Sequence, residues 1–163
     1  MSKARTITQE RLKELFHYDP ETGVFTRLTK FRGGKTKVGT LNTQKRLQIK
    51  ADWIAYTAHR LAWLYMTGDW PKIEIDHIDG NPLNNCFANL REATKSQNHC
   101  NKTMMKNNKS GVKGVRWERN KWRASIIKDR KKYHLGVFDN LEDAAAAYAK
   151  AAPLYHGQYA RIS

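Results

Sequence analysis

Most of the chemistry-bearing residues in this chain lie in one stretch, Ile75-Asp76-His77-Ile78-Asp79-Gly80-Asn81-Pro82-Leu83-Asn84-Asn85, continuing through Asn89-Leu90-Arg91 to Gln97-Asn98. It gathers oxygen donors around one histidine. Phosphodiester hydrolysis needs a water deprotonated near neutral pH, which an imidazole can do, and a hard divalent ion to offset charge on the phosphate. Asp76 and His77 are adjacent candidates for these tasks. At a strand end successive side chains point apart, so Asp76 can face a metal while His77 faces the attacking water. Asp, Asn, Gly and Pro are also the residues turns prefer, so composition alone equally allows a plain loop. Cys86, Cys100, His77 and His99 match no usual zinc spacing, and oxygen-ligated Mg²⁺ or Mn²⁺ suits the stretch better.

The chain that carries this stretch has 163 residues, 40% hydrophobic and 28% charged, enough for one ordinary domain or two small ones. Thirty Lys and Arg oppose fifteen Asp and Glu, a formal charge of +15 with a pI near 10.0. A polyanion, nucleic acid first, is the expected partner. The basicity is local: between Lys102 and Lys132 twelve basic residues accompany two acidic ones. No dozen apolar residues run together and Met1 to Arg11 lacks a signal-peptide stretch, so neither a membrane span nor secretion is expected. Cys86 and Cys100 form no Cys-x-x-Cys pair and read as free thiols in a reducing cytoplasm.

Thr8 can cap a helix over Gln9 to Phe16 that ends at Asp19-Pro20. Gly23 to Leu28 and Arg46 to Lys50 read as small strands separated by turns at Gly33-Gly34 and Gly39. Ala58 to Thr67 has a mostly buried helical pattern with Gly68 as its stop. Ile73 to Gln97 is strand-like at both ends, and Thr94-Lys95-Ser96-Gln97 has capping-box spacing, so a helix should start after Thr94. Asn101 to Ser110 is polar and basic and reads as a linker. Val112 to Glu118, Trp122 to Lys128 and Lys132 to Phe138 are candidate strands joined by hairpin-length loops. Asn140 then precedes an amphipathic helix, Leu141 to Tyr155, that can cover one face of their sheet.

The residues from Gly23 through Asn101, with the Tyr18 to Gly23 block (YDPETG) before them, resemble the HNH endonucleases, in particular the phage homing group. The resemblance rests on ordered blocks: Tyr18 to Gly23, His59-Arg60-Leu61-Ala62-Trp63, Ile75 to Asn81, Asn89-Leu90-Arg91 and Gln97-Asn98. It implies a ββα-metal motif with Asp76 as metal ligand, His77 as general base, Asn89 as the asparagine that holds the loop and orients His77, and Asn98 as second metal ligand. Asn98 stands where the family's last His would be, which favours a hard ion such as Mg²⁺ or Mn²⁺. Arg60 and Arg91 are candidate phosphate contacts, Arg91 equally a structural ion pair, and His59 reads as a packed core histidine.

Residues Ser110 to Ile162 are similar to the Apetala-type DNA-binding domain of plant ethylene-response factors, through Gly114-Val115-Arg116, Lys121-Trp122, Leu135 to Asp139, and Glu142 to Gly157. That implies a three-stranded sheet in the major groove of DNA with a helix behind it. Lys113, Arg116, Arg119, Arg123, Lys128, Lys132 and His134 are the candidate DNA contacts, with Trp122 read as core. The expectation is an α+β chain: an HNH nuclease domain over 1–100, a basic linker over 101–110 and a DNA-binding domain over 111–163. It would cut double-stranded DNA with a divalent cation, without a small-molecule cofactor, in the cytoplasm of a bacterial host if phage-encoded. A non-catalytic, sequence-specific DNA-binding regulator is the competing reading, and a structural-zinc adaptor a third. Oligomeric state stays open.

Overall fold

The computed structural model describes residues 6–28, 38–102, 104 and 108–162. The expected Gly33-Gly34 turn, and residues 103 and 105–107 of the expected linker, lie outside these. The chain is α+β, with helices and small sheets divided between two compact units, Met1–Glu92 and Ala93–Ser163. Among the described residues no helix is long and apolar enough to cross a membrane.

In the first unit, α1 (Gln9–Leu15) opens on Thr8, whose hydroxyl accepts from the Arg11 amide at 3.2 Å. The helix ends one residue earlier than expected. Phe16 turns to extended backbone and starts β1 (Phe16–Asp19), which pairs antiparallel with β2 (Val24–Arg27). Phe16 and Tyr18 alternate inward past an exposed His17, so a period of two wins over the helical one. Asp19 shapes the turn by accepting from the Glu21 amide at 2.9 Å and the Thr22 hydroxyl at 2.7 Å. Gly23 closes it at φ +70, where a Cβ would run into the Asn85 carbonyl carbon and the Cys86 nitrogen.

A second sheet has the order β3 (Thr40–Leu41), β4 (Leu47–Ala51), β5 (Ile54–Thr57). The unforeseen β5 pairs with β4 across the two-residue turn Asp52-Trp53. Both turn residues are left-handed, φ 45 and 69, although such turns favour Asn-Gly or Asp-Gly. The Arg11 guanidinium braces the turn with two 3.0 Å bonds to the Asp52 carboxylate. β5 runs directly into α2 (Ala58–Thr67), which stops at left-handed Gly68 as expected. Leu12, Phe16, Phe25, Ile49, Leu61, Leu64 and Ile75 form the core, each large side chain contributing about 2 kcal/mol through burial. β6 (Glu74–His77) and β7 (Leu90–Ala93) form a two-stranded sheet. The loop between them ends in a 3₁₀ turn over Phe87–Asn89.

In the second unit, α3 (Lys95–Asn101) opens on the expected capping box, Thr94 and Gln97 each bonding the other's backbone amide. A three-stranded antiparallel sheet follows, β8 (Val115–Glu118), β9 (Lys121–Lys128) and β10 (Lys131–Phe138), with β9 central. β8 starts three residues later than expected because Gly114 sits at φ +74 beneath the Tyr148 ring, where no side chain fits. Helix α4 (Leu141–His156), capped by Asn140, covers one sheet face. Small Ala144, Ala151 and Ala152 bring the helix close to Val115, Ala124 and Ile126, and Tyr148 fills the gap.

Candidate active site

β6 ends on the two residues singled out by type. Asp76 and His77 are buried, each 5% exposed. Arg91, on the neighbouring β7, places Nε at 3.0 Å and Nη2 at 2.9 Å from Asp76 Oδ2. His77 Nε2 lies 3.3 Å from the carboxamide oxygen of Asn85, and burial pushes the imidazole below its ordinary pKa despite that bond. Burial thus favours the uncharged ring, the form in which a general base takes up a proton.

The loop that follows is held from within by Asn89. Its Nδ2 donates to Asp79 Oδ1 and to the Asn84 carbonyl, both at 2.9 Å, and its Oδ1 accepts from the Asp79 amide at 3.0 Å. Asp79 also accepts from the Asn81 amide at 2.8 Å and from Asn84 Nδ2 at 2.7 Å. Partial burial opposes ionisation of Asp79, but these donors outweigh it and hold the carboxyl below its usual range. The Asn89 side chain thus bonds within the loop, and the carboxamide at the His77 ring is that of Asn85. Sequence reasoning gives Asn85 no role; its one signal is a second Asn after Asn84, beyond what turn chemistry needs.

His59, on α2, is 4% exposed, and its ring stands edge-on to His77 with centroids 5.2 Å apart. Arg46 Nη1 is 3.4 Å from His59 Nε2. A guanidinium can only donate, so His59 Nε2 is unprotonated and the ring is neutral. Burial first, then the charges of His77, Arg46 and Arg60, push its pKa down to about 3. The expectation of a packed histidine is met, with His77 as part of its packing.

The other expected site residues are spread over the fold. Arg60 lies on α2 over the Trp70 ring, 5.6 Å from its centroid. Asn98 lies on α3, half-buried, in the second unit. In the sheet, Arg116 pairs with Arg123 across β8 and β9, and His134 and Lys132 on β10 pair with Ser125 and Ile127 of β9. These positions alternate with buried Val115, Ala124 and Ile126, so Arg116, Arg123, Lys132 and His134 share the face opposite α4. Glu118 lies among them, 2.7 Å from Arg116 and 3.6 Å from Arg123. Lys128 instead lines a hollow with Asp129, Tyr155 and His156, and Arg119 sits at the β8–β9 turn. Lys113 is half-buried, donating to the Cys100 and Lys102 carbonyls at 2.6 and 2.9 Å, so its charge caps the end of α3.

Among the described residues no three His, Cys, Asp or Glu side chains gather as a metal cluster, and both cysteines are free thiols. A buried carboxylate such as that of Asp76 suits a hard, water-rich ion that takes few protein ligands.

The HNH endonuclease family model matches residues 56–100. Protein 3.8 of Escherichia phage T7 is 41% identical over 107 residues, covering 64% of this chain and 88% of that protein. A protein of Acanthamoeba polyphaga mimivirus named as an uncharacterized HNH endonuclease, L560, is 36% identical over 104 residues, 63% of this chain and 54% of that protein, so the chain spans about half its length. No solved structure matches the chain. The family match covers β6, the Asn89-stapled loop and α3, so the chain carries an HNH endonuclease family domain, and it is a relative of the phage protein over most of that protein's length.

Proposed function

We propose that this chain is a metal-dependent endonuclease of the HNH homing type that hydrolyses phosphodiester bonds in double-stranded DNA. The observation that carries this reading is the buried His77, next in the chain to the buried Asp76 at the end of β6. HNH nucleases generally work with divalent metal ions. Asp76 and Asn98 would hold Mg²⁺ or Mn²⁺, which when bound supplies charge neutralisation at the scissile phosphate. His77 takes a proton from the attacking water as one P–O bond forms and the bond to the departing deoxyribose oxygen breaks, that oxygen taking a proton from solvent. Asn89 keeps the loop closed so that the strand end stays in place, and Arg91 offsets the Asp76 charge.

The domain reading is a nuclease over 1–100, a basic linker over 101–110, and an Apetala-type DNA-binding domain over 111–163. Support comes from the sheet face that α4 leaves uncovered, which carries Arg116, Arg123, Lys132 and His134. A basic sheet face can track phosphates and read base edges in the major groove. Incubating supercoiled plasmids with the purified chain, with Mg²⁺, Mn²⁺ or chelator, tests the reading. Open-circle or linear product only with metal supports it; tight binding with no cutting on varied DNAs favours a non-catalytic regulator.

A further inference from the structure

Asn85 is gripped more firmly than a loop turn needs. The residue is 2% exposed. Its carbonyl accepts from the Tyr18 hydroxyl at 2.7 Å, and its amide donates to the Leu83 carbonyl at 3.1 Å. Gly23 has no side chain because its backbone lies against Asn85, and the neighbouring Pro20 carbonyl accepts from the Phe87 amide at 2.9 Å. The Tyr18 to Gly23 turn, remote from the reacting residues in sequence, thus acts as a brace on this one asparagine.

The grip fixes the carboxamide's orientation. Asn85 Nδ2 donates to the Leu83 carbonyl at 3.2 Å, which leaves Oδ1 facing His77 Nε2 at 3.3 Å. Turning the amide over would set Oδ1 against the Leu83 oxygen and lose that bond. An oxygen can only accept, so the ring proton sits on Nε2 and the lone pair of the neutral imidazole on Nδ1. Asn89 cannot serve in its place, because its amide is committed to Asp79 and Asn84.

We propose that Asn85 is a positioning residue that holds His77 as the Nε2–H tautomer and makes Nδ1 its basic atom. The catalytic consequence rests on the nuclease reading, whereas the tautomer does not. Long-range ¹H–¹⁵N correlation spectra of the labelled, metal-free full chain at pH 8 read the tautomer directly, with His77 identified by its absence in His77→Ala. The wild type is expected to show a single Nε2–H form, and an Nδ1–H form would overturn the proposal even if every Asn85 variant failed to fold. Asn85→Leu keeps the bulk but has no acceptor, so a tautomer mixture is expected. Its single-turnover cleavage should fall about 10- to 100-fold with DNA affinity unchanged. Asn85→Asp keeps an acceptor and should restore most of that rate. Wild-type cleavage by Asn85→Leu, or a loss in Asn85→Asp equal to that in Asn85→Leu, would overturn the positioning role. A wild type that cuts no DNA removes the nuclease reading and leaves the spectrum to decide the tautomer by itself.

Discussion

Arg91 brings two donors, Nε at 3.0 Å and Nη2 at 2.9 Å, onto a single oxygen of Asp76. Both side chains are largely out of water, 13% and 6% exposed, so each charge depends on the other. Breaking a buried pair from one side costs more than the pair itself contributes. Arg91→Ala should therefore lower unfolding free energy by about 3 kcal/mol, measured by urea denaturation. Millimolar Mg²⁺ should raise the variant's midpoint more than the wild type's, because a bound cation replaces the missing charge.

Asn89 joins both ends of the loop after β6 through three side-chain bonds. Asn89→Ala should cost about 2–3 kcal/mol and speed hydrogen exchange at the Asp79 amide, which loses its acceptor. Asn89→Asp should be worse, because a carboxylate would then oppose that of Asp79.

His59 makes stability depend on pH in a set direction. The unfolded ring takes a proton near 6.5, whereas in the fold burial and Arg46 delay it until about 3. Stability is thus full above 6.5 and falls as pH drops from there toward 3, by at most about 1.4 kcal/mol per pH unit from this group. His59→Gln should flatten the curve between pH 6 and 4, read from denaturation midpoints; an unchanged slope would show that His59 is not held neutral.

Arg123 and Lys132 lie on the sheet face left open by α4, while Lys113 caps α3. Neutralising Arg123 or Lys132 with Gln should reduce the slope of log affinity against log salt by about 0.9 for each DNA phosphate that the side chain no longer neutralises. Lys113→Gln should lower thermal stability with little change in that slope. Binding titrations on duplex DNA at several salt concentrations separate the two.

Trp53 occupies a left-handed turn position, φ 69, with its side chain 97% exposed. A glycine there relieves backbone strain without emptying a core site. Trp53→Gly should stabilise the fold by about 0.5–1 kcal/mol in thermal unfolding.

What can be read in advance is local. Thr8, the Thr94–Gln97 box, Gly68 and Asn140 sit where their side chains or backbone act within one helical turn, and α1, α2, α3 and α4 start or stop at them. Phe16 reads as helical because it completes a stripe with Leu12 and Leu15, and only pairing with Arg27 of β2 draws it into a strand. β5 escapes the sequence pattern because Asp52-Trp53 lacks the glycine that marks tight turns; the brace is Arg11, 41 residues away. The same divide runs through the site. Asp76 and His77 stand out by residue type, whereas Arg91 as the partner of Asp76 and Asn85 as that of His77 depend on how the loop folds back.

Single-turnover cleavage of a plasmid saturated with protein, comparing the wild type with His77→Ala in Mg²⁺ and measuring DNA affinity in parallel, bears most directly on the reading of His77 as the base. Loss of cleavage by at least about 100-fold with affinity unchanged is the expected result. Cleavage by His77→Ala at the wild-type rate would contradict it.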